Sequence, residues 1–215
     1  MVKLLHRGNN NYHPENTIQA LESSLNLDFV SGFETDIMLT KDNIWILFHD
    51  KNLERLTGIN KLVKDTNYRD LPLINIKNKP YKINKLDELV NLNYKNKLFD
   101  IEIKADFNIN EKSKNDLKKI LKRIKSKIIL SSFDYRWHLW SKKNNFKFAY
   151  LIDDEKYIKK LDLKNFDIVI FDYNLYKKFN NEINKLNYES IGMFNLNKKY
   201  IKNFKIEIWD YNDLV

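Results

Sequence analysis

Leu98-Phe99-Asp100-Ile101-Glu102-Ile103-Lys104 is followed by a Lys-rich stretch from Glu111 to Lys127 and then by Ile128-Ile129-Leu130-Ser131-Ser132. The two flanking runs are short and rich in Ile, Leu and Phe, the composition of strands buried in a sheet. Between them Leu117, Ile120, Leu121 and Ile124 recur at helical spacing, which gives that helix one apolar face. A strand, a helix and a second strand in this order form a unit whose strands run parallel. The same unit extends in both directions. The remaining apolar runs are Val2 to His6, Phe33 to Met38, Phe148 to Ile152, Ile168 to Phe171, Ser190 to Phe194 and Ile206 to Trp209. Helical stretches are expected at Thr17 to Leu27 behind an Asn16 cap, at Asn84 to Asn93, Tyr135 to Asn144, Asp154 to Asp162, Tyr176 to Leu186 and Lys198 to Asn203. Eight strands alternating with seven helices predict an α/β architecture, a small (β/α)8 TIM barrel filling residues 1–215 as a single domain, with little or no helix after its last strand. Asn43 to Phe48 breaks the alternation behind the turn signal Thr40-Lys-Asp-Asn, and predicts a hairpin inserted after the second strand. Asn52 to Lys82 shows no strong periodicity and is expected to be loops with a helical turn.

Composition narrows the chemistry. Cysteine is absent, which removes disulfides, thiolate metal sites and a cysteine nucleophile from consideration. No apolar run approaches the roughly 18 residues of a membrane span, so a soluble, cytoplasmic protein is expected. The formal charge of +9 is carried by 33 lysines against 5 arginines in a chain also crowded with Asn and Ile, the mark of AT-biased coding more than of a nucleic-acid groove. No nucleic-acid partner is expected, and peripheral contact with a membrane stays open.

Titratable groups concentrate between Leu4 and Asp50, at strand ends, where a barrel of this kind keeps its chemistry. His6 and Arg7 close the first strand, and Glu34 and Asp36 lie two residues apart on the second, so their side chains leave on one face. Glu102 and Lys104 share a face of the third in the same way. Three carboxylates in one barrel mouth repel one another unless a cation sits between them, and oxygen donors suit Mg²⁺, Ca²⁺ or Mn²⁺. Ion pairing with Lys104 and Arg7 is the alternative. His6 and His49 are the natural pair for proton transfer near neutral pH, with Asp50 placed to orient an imidazole. The fork of Arg7 and the point charge of Lys104 suit a phosphate or phosphodiester, so the expected partner is a small anionic molecule. His13 and His138 are read as a rim residue and an outer-helix residue, and Trp137, Trp140 and Phe146 as packing.

In order and spacing, His6-Arg7-Gly8, Pro14-Glu15-Asn16-Thr17, Gly32-x-Glu34-x-Asp36, Thr40-Lys41-Asp42, His49-Asp50 with Leu53, Arg55 and Thr57, and Ile101-Glu102-Ile103-Lys104 resemble the motifs of the glycerophosphodiester phosphodiesterases. Ser131-Ser132-Phe133 and Ile208-Trp-Asp210-Tyr-Asn-Asp213 look like later elements of that family. The resemblance implies metal-dependent hydrolysis of a glycerophosphodiester to sn-glycerol 3-phosphate and an alcohol. It implies His6 and His49 as the acid/base pair, Glu34, Asp36 and Glu102 as holders of a divalent ion, Mg²⁺ or Ca²⁺ with Mn²⁺ as a third choice, and Arg7 and Lys104 as phosphate contacts. Phe133 and Phe194 are expected to wall the substrate pocket. Phe194-Asn195-Leu196-Asn197 replaces the family's Trp-Thr-Val-Asn, and Asn212 its closing proline, changes that bear on specificity. Two rival readings are a related barrel phospholipase D acting on lysophospholipids or sphingomyelin, and a non-catalytic barrel that binds phosphodiesters.

Overall fold

Each of the eight apolar runs becomes a parallel strand within one residue of its expected bounds. The computed structural model describes residues 2–76, 78–92, 94, 96–160, 166–183, 190–196, 206–210 and 213. In chain order the elements are β1 (Val2–Leu5), α1 (Ile18–Leu25), β2 (Gly32–Leu39), β3 (Trp45–Leu47), α2 (Glu54–Thr57), β4 (Ile74–Ile76), β5 (Lys79–Tyr81), β6 (Leu98–Ile103), α3 (Glu111–Arg123), β7 (Lys127–Ser132), α4 (Arg136–Lys143), β8 (Phe148–Ile152), α5 (Glu155–Lys160), β9 (Ile168–Asp172), α6 (Tyr173–Ile183), β10 (Ser190–Phe194) and β11 (Ile206–Trp209). The parallel strands run β1-β2-β6-β7-β8-β9-β10-β11, and β11 pairs with β1, which closes a TIM barrel.

These strands are apolar on both faces because both faces are buried. Ile168 and Ile170 join Leu4, Ile129, Leu151, Ile206 and Ile208 inside the barrel, while Val169 and Phe171 join Phe99, Ile101, Leu117, Leu121 and Trp137 between barrel and helices. The apolar stripe of α3 therefore packs as its spacing predicts, and Trp137 is fully buried. On β6 the alternation places Phe99, Ile101 and Ile103 outward, which leaves Asp100 and Glu102 for the interior.

The expected hairpin is present, and it is built on β2. β6 takes one edge of that strand from Gly32 to Ile37, and β1 takes the other edge only at Gly32 and Phe33. β3 pairs antiparallel along the vacant upper part, from Ile37↔Leu47 to Leu39↔Trp45. The chain thus leaves β3 at the barrel mouth, where His49 follows. Beyond it the excursion is more ordered than its sequence suggests. It contains α2, two 3-10 turns and the small β4–β5 hairpin, wrapped round a core of Met38, Ile46, Phe48, Leu53, Val63, Ile74 and Ile83. This segment forms a cap beside the mouth.

Three expectations need correction. The helix read at Asn84 to Asn93 is a 3-10 helix, Leu86–Asn91, whose buried Leu86 and Leu89 lie three residues apart, one turn of that tighter geometry. The cap of α1 is Thr17, whose side chain accepts from Ala20 N, and not Asn16, which stands at φ 57°. The helix that starts at Glu111 ends at Arg123, because Ile124 is already extended. Lys198 to Asn203, Asn197, Asn212 and the C-terminal ends of the helices read at Asp154 and Tyr176 lie outside the described residues.

Candidate active site

Gly8 makes the first turn of the mouth possible. Its φ of 80° and a separation of 2.7 Å between a would-be Cβ and the Ala20 carbonyl carbon exclude any side chain. That contact brings the loop after β1 onto α1, with Asn9 N donating to Ala20 O. Arg7, at φ 57°, is turned back over the mouth by the same bend. Its backbone N–H donates to Glu34 Oε2 at 3.1 Å, and its guanidinium reaches Glu15 at 2.9 Å and Asp36 at 3.2 Å.

β2 and β6 are paired so that Asp36 stands beside Glu102 and Glu34 beside Asp100. Oxygens of Glu34, Asp36 and Glu102 lie within 4.8 Å of one another, and all three residues are buried. Asn16 locks the cluster from below: its Nδ2 donates to Asp36 Oδ2, and its Oδ1 accepts from Asp36 N and Thr35 Oγ1. The left-handed backbone of Asn16, tolerated by this residue type, aims that amide into the barrel.

Both readings of the carboxylates can be weighed here. Lys104 Nζ lies 2.6 Å from Glu102 and 3.4 Å from Asp36, so ion pairs do form. They do not satisfy the cluster. Buried Glu34 Oε1 has no hydrogen-bond partner among the described residues. Burial, reinforced by Asp36 and Glu102, pushes the Glu34 carboxyl well above its ordinary range, and burial with Asp36 raises Glu102 to about 8. Asp36 goes the other way: burial works against its charge, but Lys104 and Arg7 outweigh it. Two carboxyls held from ionising beside an unpartnered oxygen fit a site made for a divalent cation, and oxygen donors suit Mg²⁺, Ca²⁺ or Mn²⁺.

The two histidines stand on opposite arms of this cluster. His6 Nδ1 faces Asp210 Oδ1 at 2.8 Å, and its Nε2 lies 3.9 Å from Glu34 Oε2. The His6 hydrogen bond holds the Asp210 carboxyl below its usual range, so the ionised carboxylate fixes the proton on Nδ1 and leaves Nε2 toward the site. His49 Nδ1 is held in the same way by Asp50, which also receives Arg55 Nε. Arg55 then grips Glu15 with both terminal nitrogens, at 2.8 and 2.6 Å, tying the cap to the loop that holds Arg7. Burial, with Lys104 and Arg7 nearby, holds the His49 imidazole below its ordinary pKa against the pull of Asp36 and Asp50.

A cavity of ≈ 310 Å³ collects these groups: His6, Arg7, Glu34, His49, Glu102 and Lys104 line one side, and Phe133, Leu151, Asp153, Phe194, Asn195 and Ile208 the other. Phe133 and Phe194 meet edge to face at 6.0 Å, and Lys104 Nζ sits 5.4 Å from the Phe133 ring centre. The nine residues expected to form the site therefore meet at one mouth, Asp36 just beneath the cavity surface. His138 packs on Phe148 and Phe166 outside it.

One member of the site escapes the sequence reading, as do the roles of two others. Asp100, buried beside Glu34 on the neighbouring strand and accepting from Ser131 Oγ, is raised by burial to about 7. The Asp-x-Glu spacing on β6, twin of Glu-x-Asp on β2, is the signal that could have found it. Arg55 and Asp210 stand in the motifs quoted above, but their partners Glu15 and His6 lie 40 and 204 residues away, and no local pattern gives them these roles.

A profile of the glycerophosphoryl diester phosphodiesterase family matches residues 6–162. The chain belongs to this family. Among curated relatives, the uncharacterized protein YqiK of Bacillus subtilis is 30% identical over 154 residues, 63% of this chain and 59% of that protein. A Bacillus altitudinis glycerophosphodiester phosphodiesterase is 42% identical over 72 residues, 33% of this chain and 29% of that enzyme. The chain thus spans less than two thirds of these relatives. The crystal structure of a Thermotoga maritima glycerophosphodiester phosphodiesterase matches with a TM-score of 0.75 and 25% identity, covering 100% of this chain and 96% of that one. An Oleispira antarctica phosphodiesterase solved with the product sn-glycerol-3-phosphate matches at TM-score 0.79 and 19% identity, over 100% of this chain and 94% of that one, a likeness of fold. In this chain the cavity lies at the C-terminal ends of the barrel strands, the end at which barrels of this fold carry their sites.

Proposed function

We propose that this chain hydrolyses glycerophosphodiesters to sn-glycerol 3-phosphate and an alcohol, with a divalent cation held by Glu34, Asp36 and Glu102. The observation that carries the reading is the meeting, in one cavity, of two carboxylate-oriented histidines, three clustered carboxylates and two cationic side chains. Membership of the family and the small polar cavity support it.

In this reading Arg7 and Lys104 bind the phosphoryl oxygens, for which a planar fork and a point charge are suited. The bound cation supplies electrostatic stabilisation of charge that develops on those oxygens. One imidazole Nε2 accepts the proton of the glycerol hydroxyl next to the phosphodiester as that oxygen bonds to phosphorus. The other imidazole gives a proton to the alcohol oxygen as its bond to phosphorus breaks. Water then opens the cyclic phosphate, and the histidines return to their starting protonation. Asp210 and Asp50 keep each Nδ1–H fixed throughout, and Phe133 and Phe194 wall the pocket for the alcohol half of the substrate.

The test is an assay of the full chain on glycerophosphocholine, stripped of metal by a chelator and then resupplied with Mg²⁺, Ca²⁺ or Mn²⁺. Release of glycerol 3-phosphate only with metal is expected. Tight binding of the diester without turnover would assign the chain to the non-catalytic reading. Hydrolysis of lysophospholipids is a second reading with one observation in its favour. A groove of ≈ 490 Å³, floored by Met38, Leu39, Ala105 and Ile109, reaches Lys104 beside the cavity. Faster turnover of lysophosphatidylcholine than of glycerophosphocholine would select it.

A further inference from the structure

The cap carries a surface that the proposed chemistry does not use. Its core is already filled, yet Ile59, Leu62, Leu73 and Ile76 face solvent, with 49%, 36%, 50% and 37% of their surfaces exposed. Single exposed apolar residues are ordinary in any protein. Here four of the eight large ones among the described residues fall between positions 59 and 76. Because α2 packs against β4, the segments bearing Ile59 and Ile76 are neighbours in space.

Charge follows the same segment. Residues 51–82 hold eight Lys and Arg against three Asp and Glu, so this short stretch carries more than half of the chain's formal +9. Three of the cations are paired: Arg55 with Asp50 and Glu15, Arg69 with Asp70, and Lys82 with Glu88. Lys51, Lys61, Lys64 and Lys79 are exposed and make no ion pair among the described residues. Lys51, Leu62 and Lys64 also line the groove that reaches Lys104 at the edge of the catalytic cavity. The surface is therefore continuous with the mouth.

We propose that the cap docks on an anionic lipid bilayer. Aliphatic side chains enter the head-group layer, free lysines meet lipid phosphates, and the barrel mouth is held at the membrane face. Aliphatic residues between lysines suit an interface, where insertion and charge attraction add. Single-stranded nucleic acid is served poorly, because Ile and Leu give a base no ring to stack on.

Sedimentation of the full chain with vesicles tests this. Binding to mixed phosphatidylcholine–phosphatidylglycerol vesicles, and little to phosphatidylcholine alone, is expected. At about fivefold per lysine, the Lys61→Gln/Lys79→Gln double variant should lower partitioning about 25-fold. Ile59→Ser/Leu73→Ser should lower it as well, with the binding that remains now removed by high salt. Both variants change exposed side chains and should keep the wild-type melting temperature and circular dichroism. The proposal is overturned by absence of binding to the mixed vesicles, by undiminished binding in both variants, or by retention of single-stranded RNA without vesicle partitioning.

Discussion

The two sides of the barrel mouth are made of the same β/α unit and contain different chemistry. On β1, β2, β6 and the cap the cavity is lined by His6, Arg7, Glu34, His49, Glu102 and Lys104, almost every one in contact with an opposite charge. On β8, β10 and β11 it is lined by Leu151, Phe194 and Ile208, with Asp153 and Asn195 at the edges. In the proposed reaction the difference divides the work: the first side would fix where protons and charge go, and the second would shape what fits. If so, substitutions on the first side should lower kcat, and those on the second should change KM and the choice of alcohol.

The largest expected effect is that of His6→Ala or His49→Ala, each lowering kcat by about 10²–10⁴-fold while thermal melting stays close to wild type. A loss of the same size from Phe194→Ala would break the division between the sides. Next is metal binding: Glu102→Gln should weaken divalent-ion affinity in a calorimetric titration, and unchanged affinity would remove Glu102 from the ligand set. A smaller loss is expected from Arg55→Ala, about tenfold to a hundredfold in kcat through slackened Asp50 and Glu15, with Arg55→Lys recovering only part because it lacks the fork. Smallest is Phe194→Ala, a change of less than about tenfold in kcat/KM that differs between choline and ethanolamine diesters.

Acidity separates the sides as well. A carboxyl raised to about 8 in the fold and ordinary when unfolded keeps its proton longer in the native state, so the unfolded chain binds fewer protons in between. Stability of the metal-free protein is thus fully present below the ordinary carboxyl range and falls as pH rises toward and through 8. A melting series from pH 5 to 8 should fall in metal-free buffer, and Ca²⁺ or Mg²⁺ should restore most of the loss at the alkaline end. A flat profile without metal would mean that Glu34 and Glu102 already ionise freely. His49, held down by burial, stays neutral to lower pH than an ordinary imidazole. With His49 as the proton acceptor the acid limb of kcat/KM should lie below pH ~6.5, and an alkaline limb there instead would make His49 the donor.

What the sequence shows, and what it hides, follows from distance along the chain. All eight barrel strands are legible because burial on both faces writes an apolar run into each one. The carboxylate cluster is legible because Glu34-x-Asp36 and Glu102-x-Lys104 repeat with the two-residue period of a strand. Asp210 is legible as part of a closing motif, but its pairing with His6 is hidden, since only closure of the barrel by β11 against β1 brings the two together. The cap's β4–β5 hairpin is hidden for another reason: three-residue strands bury one side chain, Ile74, and leave no period to read. Asn16 looks like a helix cap because its residue type suits both jobs, and only its backbone conformation shows that it serves Asp36.

Gly32 shows how far from the mouth its geometry is decided. A side chain there would place its Cβ 1.8 Å from the Leu98 carbonyl oxygen. The strand pair β2–β6 rests on that missing atom at its lower end, and Asp36 faces Glu102 four rungs higher. A methyl group at the foot of the ladder would force the Leu98 carbonyl, and the β6 backbone with it, away from β2. The carboxylate spacing of the proposed cation site is thus gauged at the floor of the barrel, by a residue with no chemistry of its own.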